Sequence, residues 1–227
     1  MRPVWVTSRV VAIDGPAGSG KSTVARGVAR ALGLPTLDTG AMYRAVTLAA
    51  LDAHVDLDAG DALAAMAGAV VLEVGGGTVV LAGRDVADAI RGPAVTEAVS
   101  RVARHPQVRA VLVARQRTWV DDHAGGVVEG RDIGTVVFPD APVKAYLTAD
   151  EAVRAARRQL DEAAADRNVS LVALQAALAA RDAADATLGR ATRPEDAAPD
   201  ALVIDTSTST ADDVIDLLVA RAREAGL

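Results

Sequence analysis

The stretch Val10-Val11-Ala12-Ile13-Asp14-Gly15-Pro16-Ala17-Gly18-Ser19-Gly20-Lys21-Ser22-Thr23 decides the fold. It opens with a short apolar run that ends in a carboxylate and a glycine, the pattern of a strand buried on both faces of a parallel sheet. Its middle, Gly15-x-x-x-x-Gly20-Lys21-Ser22, is a complete P-loop pattern. Residues 21–32 then read as a helix, with Gly33 placed to stop it and Pro35 just beyond. Each residue type in the loop has a reason. Glycines let backbone N–H groups turn inward and approach a phosphate, and the helix N-terminus adds its positive dipole end. Lys21 is a point charge for the β- and γ-phosphates, and the Ser22 hydroxyl can ligate Mg²⁺. A glycine-rich turn that merely opens a helix would not need strand, full motif and helix in this order. Gly15 to Ser22, with Thr23, therefore form the expected site for MgATP.

Outward from this loop, strands and helices alternate. Thr36 to Asp38 reads as a second strand and Ala41 to His54 as a helix. The texture then changes. Val70 to Val74 and Thr78 to Leu81 are β-rich runs around Gly75-Gly76-Gly77, a hairpin signal. Pro93 opens a helix through Arg104, and Pro106 opens another through Trp119. Gly126 to Glu129 and Val143 to Thr148 read as strands, and Thr148-x-x-Glu151 as a capping box for a helix with Arg154, Arg157 and Arg158. A polar break at Asp166 to Ser170 precedes another helix to about Ala184. The segment from Asp185 to Pro199 reads as a loop, Leu202 to Asp205 as a last strand, and Thr210-x-x-Asp213 as the cap of a last helix. This order predicts an α/β fold with a doubly wound parallel sheet. The whole of 1–227 reads as one P-loop domain. It comprises a core (about 9–61, 104–150 and 185–227), an inserted β-containing subdomain (about 62–103) and a helical lid (about 151–184).

Bulk composition sets bounds. At 227 residues and 51% apolar content the chain can bury a sizeable core, but only 2% is aromatic, so Ala, Val, Leu and Ile must build it. The net charge of −6 lacks the basic footprint of a nucleic-acid binder. There is no cysteine, hence no disulfide, thiolate metal site or cysteine nucleophile. No run approaches the ~20 apolar residues of a membrane span, and Met1 to Arg9 lacks a signal-peptide core, so a cytoplasmic protein is expected. Lys21 and Lys144 are the only lysines, leaving 22 arginines. Biased base composition explains many of these, but not where several sit.

In an open α/β sheet, ligands bind beyond the carboxyl ends of the strands. Two loops fall there: Asp38-Thr39-Gly40-Ala41-Met42-Tyr43-Arg44, and Glu129-Gly130-Arg131-Asp132-Ile133-Gly134. Arg181-Asp182, Asp185 and Arg190 lie near the end of the lid helices. Arg44, Arg131, Arg181 and Arg190 can thus converge on one crevice, and an arginine fork fits phosphate bidentately.

These segments, with Pro106-Gln107-Val108-Arg109, Arg115-Gln116-Arg117 and the long string continuing Thr135-Val136-Val137-Phe138-Pro139-Asp140-Ala141-Pro142-Val143-Lys144, resemble the bacterial cytidylate kinases, from Val11 to the last helix. The resemblance implies a monomeric P-loop nucleoside monophosphate kinase that takes CMP or dCMP as acceptor. It implies that Ser100, Arg109 and Asp132 read the cytosine edge, with Thr39 and Tyr43 lining the pocket. It implies that Arg44, Arg131, Arg181 and Arg190 hold the acceptor phosphate, that Asp185 holds the sugar, and that Arg154, Arg157 and Arg158 close over ATP. Lys21, Arg131, Arg181 and Arg190 would carry the catalysis. The family pattern Arg-Asp-x-x-Asp-Ser-x-Arg is broken here: Asp185 is followed by Ala186-Thr187-Leu188, and arginine returns at Arg190. A two-residue insertion assigns the role to Arg190, with Arg193 the alternative.

The chemistry suits those groups. A phosphate oxygen is already anionic, so transfer to it needs charge neutralisation and in-line alignment rather than a general base. Cytosine offers an amino donor beside two acceptors, which a carboxylate and an arginine can read together. Two rivals share the P-loop. A kinase for a hydroxyl acceptor would use Asp38 as base or anchor, and a nucleotide-dependent switch would leave Arg131, Asp132 and the lid arginines without a role.

Overall fold

The computed structural model describes residues 9–164, 167 and 169–227. The reading of the first residues, and part of the polar break at 166–170, lie outside that set.

Five strands form one parallel sheet in the order β2 (Thr36–Asp38), β6 (Gly126–Gly130), β1 (Val10–Asp14), β7 (Val143–Thr148) and β8 (Leu202–Asp205). β1 lies at the centre, and all five of its residues are buried. Strand side chains alternate between the two faces. Val11 and Ile13 pack into a cluster with α1 (Lys21–Leu32) and α8 (Ala211–Glu224). Val10 and Ala12 pack into a second cluster on the opposite face. Helices on both faces of a parallel sheet are the doubly wound architecture that the alternating pattern predicts.

The second cluster is the larger. It joins β1 to α2 (Thr39–Asp52), α3 (Gly60–Ala69), α4 (Pro93–Ala103) and α5 (Pro106–Asp122). It also takes in a three-stranded antiparallel sheet of β3 (Leu72–Gly75), β4 (Thr78–Leu81) and β5 (Arg84–Asp85). Gly76 and Gly77 make the β3–β4 turn with φ of 60° and 92°, as a two-residue hairpin with both central residues at positive φ requires. Leu63, Val74, Val79, Leu81 and Ile90 thus belong to the same apolar cluster as Val10 and Leu37.

Some boundaries differ from the sequence expectation. α2 starts two residues earlier, because the Asp38 carboxylate accepts from the Ala41 N–H at 3.0 Å and caps it. α3 and β5 were not expected, since α3 is alanine-rich without a polar face and β5 has two residues. The capping box proposed at Thr148 is not the cap of α6 (Glu151–Ala164): the Arg154 N–H bonds the Asp150 carbonyl, and the Thr148 carbonyl accepts from Thr206 instead. The box at Thr210 and Asp213 is formed, with both reciprocal bonds at 3.2 Å. α6 packs against α7 (Leu171–Thr187), which is N-capped by Ser170.

Because α3 shares its core with the main sheet, Leu63→Ala should weaken the whole molecule. Truncation of a fully buried leucine costs about 2–5 kcal/mol. Urea unfolding should show one transition at lower denaturant. A separate early transition, with the main one unmoved, would mean that the segment around α3 and the hairpin has a core of its own.

Candidate active site

β1 ends on Asp14, and the chain turns through the glycine loop into α1. Gly15 has φ of 145°, and a Cβ there would lie 2.1 Å from the Leu147 carbonyl oxygen of β7, so no side chain is accommodated. Gly20 caps α1 in the left-handed region with φ of 88° and offers no side-chain cap. The first N–H groups of α1 are thereby left for a ligand, at the positive end of the helix dipole. The Lys21 ammonium donates to the Pro16 carbonyl at 2.7 Å, spanning the loop from inside. Burial, then the cations Arg131 and Arg181, lower its pKa to about 8. Those neighbours repel the ammonium, and an anion placed between them would relieve that repulsion.

Ser22 donates to the Glu129 carboxylate at 2.9 Å, although 107 residues separate them. Glu129 is the penultimate residue of β6, which pairs with β1, and this register brings it beside the loop. Burial first, and the nearby Asp38 carboxylate second, push its pKa up to about 7. Sequence reasoning missed Glu129 as a partner of Ser22. The available signal was a charged residue closing an otherwise apolar strand. Asp14 carries the same signal at the end of β1. Its carboxylate accepts from the N–H groups of Ile133 at 2.8 Å and Gly134 at 2.7 Å. It thereby anchors a π-helical turn, Ile133–Val137, directly after Arg131 and Asp132. Burial outweighs those two bonds and raises the Asp14 pKa to about 6.

Beside the loop lies a cluster of arginines. Arg131 meets Asp182 at 3.4 Å and Asp185 at 3.0 Å. Arg190 donates to Asp185 at 2.8 Å, and its guanidinium lies 5.5 Å from the centre of the Tyr43 ring. Arg193, the alternative, is exposed and pairs with Glu195 and Asp196. Arg181 has no ion pair or hydrogen bond among the described residues. Burial, then the charges of Arg131 and Arg44, lower its pKa to about 9. A guanidinium facing other guanidinia in this way is a site for an anion.

Arg109 and Asp132 form an ion pair at 2.5 Å, while the buried Arg109 Nη1 has no hydrogen-bond partner. Thr39 donates to the Glu129 carbonyl at 2.7 Å, tying the β2 loop to the β6 loop. Arg44 is buried and donates to the Ile90 carbonyl and to Thr96, both at 2.9 Å. It thus braces the inserted segment, while burial and the charges of Arg158 and Arg91 lower its pKa to about 10. From α6, Arg154 reaches the Ala17 carbonyl at 3.2 Å, and Arg157 reaches Thr206 at 2.9 Å and lies 3.5 Å from the Gly18 carbonyl. Arg158 instead pairs with Asp161 and Glu162 on its own helix. The side chains of Thr23 and Ser100 make no hydrogen bond among the described residues.

A capless helix end behind a glycine loop, with partly buried arginines beside its lysine, is the arrangement of a P-loop phosphotransferase. The comparisons with known proteins then fix the family. The family model for cytidylate kinase matches residues 11–224. The cytidylate kinase of Mycobacterium avium (strain 104) is 51% identical over 213 residues, which is 92% of each chain. That of Rhodococcus opacus (strain B4) is 48% identical over 217 residues, which is 94% of each. The chain belongs to the cytidylate kinase family. A solved structure of an uncharacterized protein from Eubacterium ventriosum matches the fold with a TM-score of 0.54 at 12% identity, covering 95% of this chain and 98% of that one.

The raised pKa of Glu129 has a consequence for stability. An acid whose folded pKa exceeds its unfolded value holds its proton more tightly when folded, so it costs stability as pH rises from about 4.5 to about 7. Glu129→Gln removes that cost. Its stability relative to the parent, measured by denaturant unfolding, should rise across this window and level off above it. A difference that does not change with pH would show that Glu129 is not held protonated by its surroundings.

Proposed function

We propose that the chain moves the γ-phosphoryl group of MgATP to CMP or dCMP by in-line transfer between two anion sites, without a general base. The observation that carries this reading is the unpaired Arg181 beside Arg131, facing the P-loop lysine. Membership of the family supports the donor, the acceptor and the products ADP with CDP or dCDP.

In this reading Gly15 to Thr23 hold the triphosphate, and Lys21 neutralises charge as it moves from the acceptor side to the donor side. Arg131, Arg181 and Arg190 hold the acceptor phosphate in line, with Arg44 bracing that side and Asp185 at the sugar. Burial strengthens each of these contacts, because screening by water is reduced. Arg109 and Asp132 already form a matched donor and acceptor pair. Cytosine can insert its amino group toward Asp132 and its ring acceptors toward the unpartnered Arg109 Nη1. Uracil lacks the amino donor and would leave the carboxylate poorly paired. Ser100, Thr39 and Tyr43 line the same pocket in this assignment. Arg154 and Arg157, docked on the P-loop carbonyls, hold the lid over ATP and exclude water that would otherwise hydrolyse it. The division into a core, an insert of about 62–103 and a lid of about 151–184 belongs to this same reading.

The hard oxygens of Ser22 and Glu129 fit Mg²⁺, and the raised pKa of Glu129 marks a carboxylate that a cation would stabilise in its charged form. Among the described residues no group of three or more His, Cys, Asp or Glu could hold a metal alone. Ser22 would therefore hold the ion together with the phosphates, with Glu129 supporting Ser22. When bound, the ion offsets charge on the β- and γ-phosphates. No described helix is long and apolar enough to cross a membrane. A cytoplasmic, monomeric enzyme that works on free nucleotides and not on nucleic acid completes the proposal.

A coupled assay with ATP and a panel of acceptors tests the reading. CMP and dCMP should turn over far faster than other monophosphates or hydroxyl acceptors, and ATP consumption independent of acceptor would sink it. Asp132→Ala should then lower kcat/KM for CMP roughly 10- to 100-fold, the worth of a buried hydrogen bond to a charged group. The KM for ATP should stay nearly constant. Unchanged CMP kinetics would remove Asp132 from the base pocket.

A further inference from the structure

Asp182 has no assigned role, yet its two carboxylate oxygens are divided between the two halves of the site. Oδ1 lies 3.4 Å from Arg131 Nη1, and Oδ2 accepts from Arg154 Nη1 at 2.6 Å. Arg131 follows the core strand β6, whereas Arg154 sits on α6 in the lid. The same Nη1 of Arg154 also reaches the P-loop at the Ala17 carbonyl. Asp182 has no other hydrogen bond among the described residues, so its charge is committed to these two guanidinia. Its neighbour one helical turn on, Asp185, behaves differently. Asp185 pairs with Arg131 and Arg190, and so stays on the acceptor side.

The lid is also placed firmly on the loop. A Cβ at Gly18 would lie 2.9 Å from the Arg154 carbonyl oxygen and 3.0 Å from its Cβ, so the α6 backbone rests against the P-loop there. Any shift of α6 therefore moves Arg154, and through the carboxylate it alters the setting of Arg131. Arg131 makes both of its carboxylate contacts through Nη1, with no bond from Nη2 or Nε among the described residues. The buried Arg154 Nε is likewise unpartnered. Each guanidinium is thus held by one corner, with donors left over for phosphate.

We propose that Asp182 is a positioning residue that couples the donor and acceptor sites, by holding the lid arginine Arg154 and the core arginine Arg131 on one carboxylate. ATP, by fixing the lid and Arg154, sets Asp182 and so presents Arg131 to the acceptor phosphate. CMP bound on Arg131 steadies the lid over ATP by the same link. The effect is reciprocal, as any coupling between two binding equilibria must be. Its magnitude belongs to the usual range for coupled sites, about 5- to 150-fold in affinity.

The inference rests on the two-site reading above, and one titration series separates the two. CMP binding is measured calorimetrically with and without saturating β,γ-imido ATP, in the parent protein, Asp182→Asn and Arg154→Gln. The parent should bind CMP more tightly when the analogue is present. Asp182→Asn should bring that ratio close to one, while the affinity for the analogue alone changes less than about threefold. Arg154→Gln should reduce the ratio from the other side of the link, and the double variant should lose no more coupling than either single one. A parent-like ratio in Asp182→Asn overturns the proposal. So does a ratio lost only in step with equal losses in both separate affinities, which marks a structural role. If Asp182→Asn does not fold, Arg154→Gln decides alone, and a parent-like ratio there overturns the proposal. A parent protein that phosphorylates no CMP contradicts the function reading instead, whatever the ratio.

Discussion

A triphosphate and a monophosphate cannot be held in line unless their repulsion is neutralised, and a chain of net charge −6 must gather that neutralising charge in one place. Here the cations are gathered by burying arginines at the carboxyl ends of the strands. Burial works against their own charge: it lowers the pKa of Arg181 to about 9 and that of Arg44 to about 10. Asp182, Asp185 and Asp132 form ion pairs with Arg131, Arg154, Arg190 and Arg109 and set their directions. Among the described residues Arg181 has neither an ion pair nor a hydrogen bond, whereas Arg44, also without a carboxylate partner, is spent on the Ile90 carbonyl and Thr96, so Arg181 remains open to an anion. The parallel sheet, the α6–α7 pair and the antiparallel β3–β5 sheet can all be understood as the scaffold for that arrangement.

The scaffold is set by backbone approach as much as by packing. Gly15 lies against the Leu147 carbonyl, Gly18 lies against Arg154, and Gly130 lies where a Cβ would meet Thr39 and Ile133 at 2.6 Å. These contacts bring β1, β7, α6 and the residues after β2 to one point. The two carboxylates at the carboxyl ends of β1 and β6, Asp14 and Glu129, then orient the loops. Asp14 holds the turn after Asp132, and Glu129 holds Ser22. Both pKa values are raised toward neutrality by burial, so both carboxyls sit close to the point where a bound cation or a change of pH would alter their charge.

Much of this was legible in the sequence, because local signals carried it. The P-loop named its own strand and helix, the triple glycine named the hairpin, and the Thr210–Asp213 box named the last helix. The arginines were legible as residue types; the structure brings Arg131, Arg181 and Arg190 near Asp185, with Arg190 over the Tyr43 ring. What was not legible depends on register. Nothing local says that Glu129 bonds Ser22, or that Arg44 turns into the segment around Ile90. The capping box at Thr148 failed because the helix starts two residues later, with the Asp150 carbonyl taking its first bond, while the Thr148 carbonyl binds Thr206 just beyond β8. α3 escaped notice because an alanine-rich helix buried on one side by Leu63 and Ala67 has little contrast between its faces.

The central claim is that the unpaired arginine beside Arg131 marks the seat of the acceptor phosphate. The most direct measurement compares the binding of CMP with that of cytidine, which lacks the phosphate, in the parent protein and in Arg181→Gln. The account predicts that the variant loses most of the preference for CMP, roughly 10-fold or more for a charge-assisted contact, while cytidine binds as before. An unchanged preference for CMP in Arg181→Gln would contradict it.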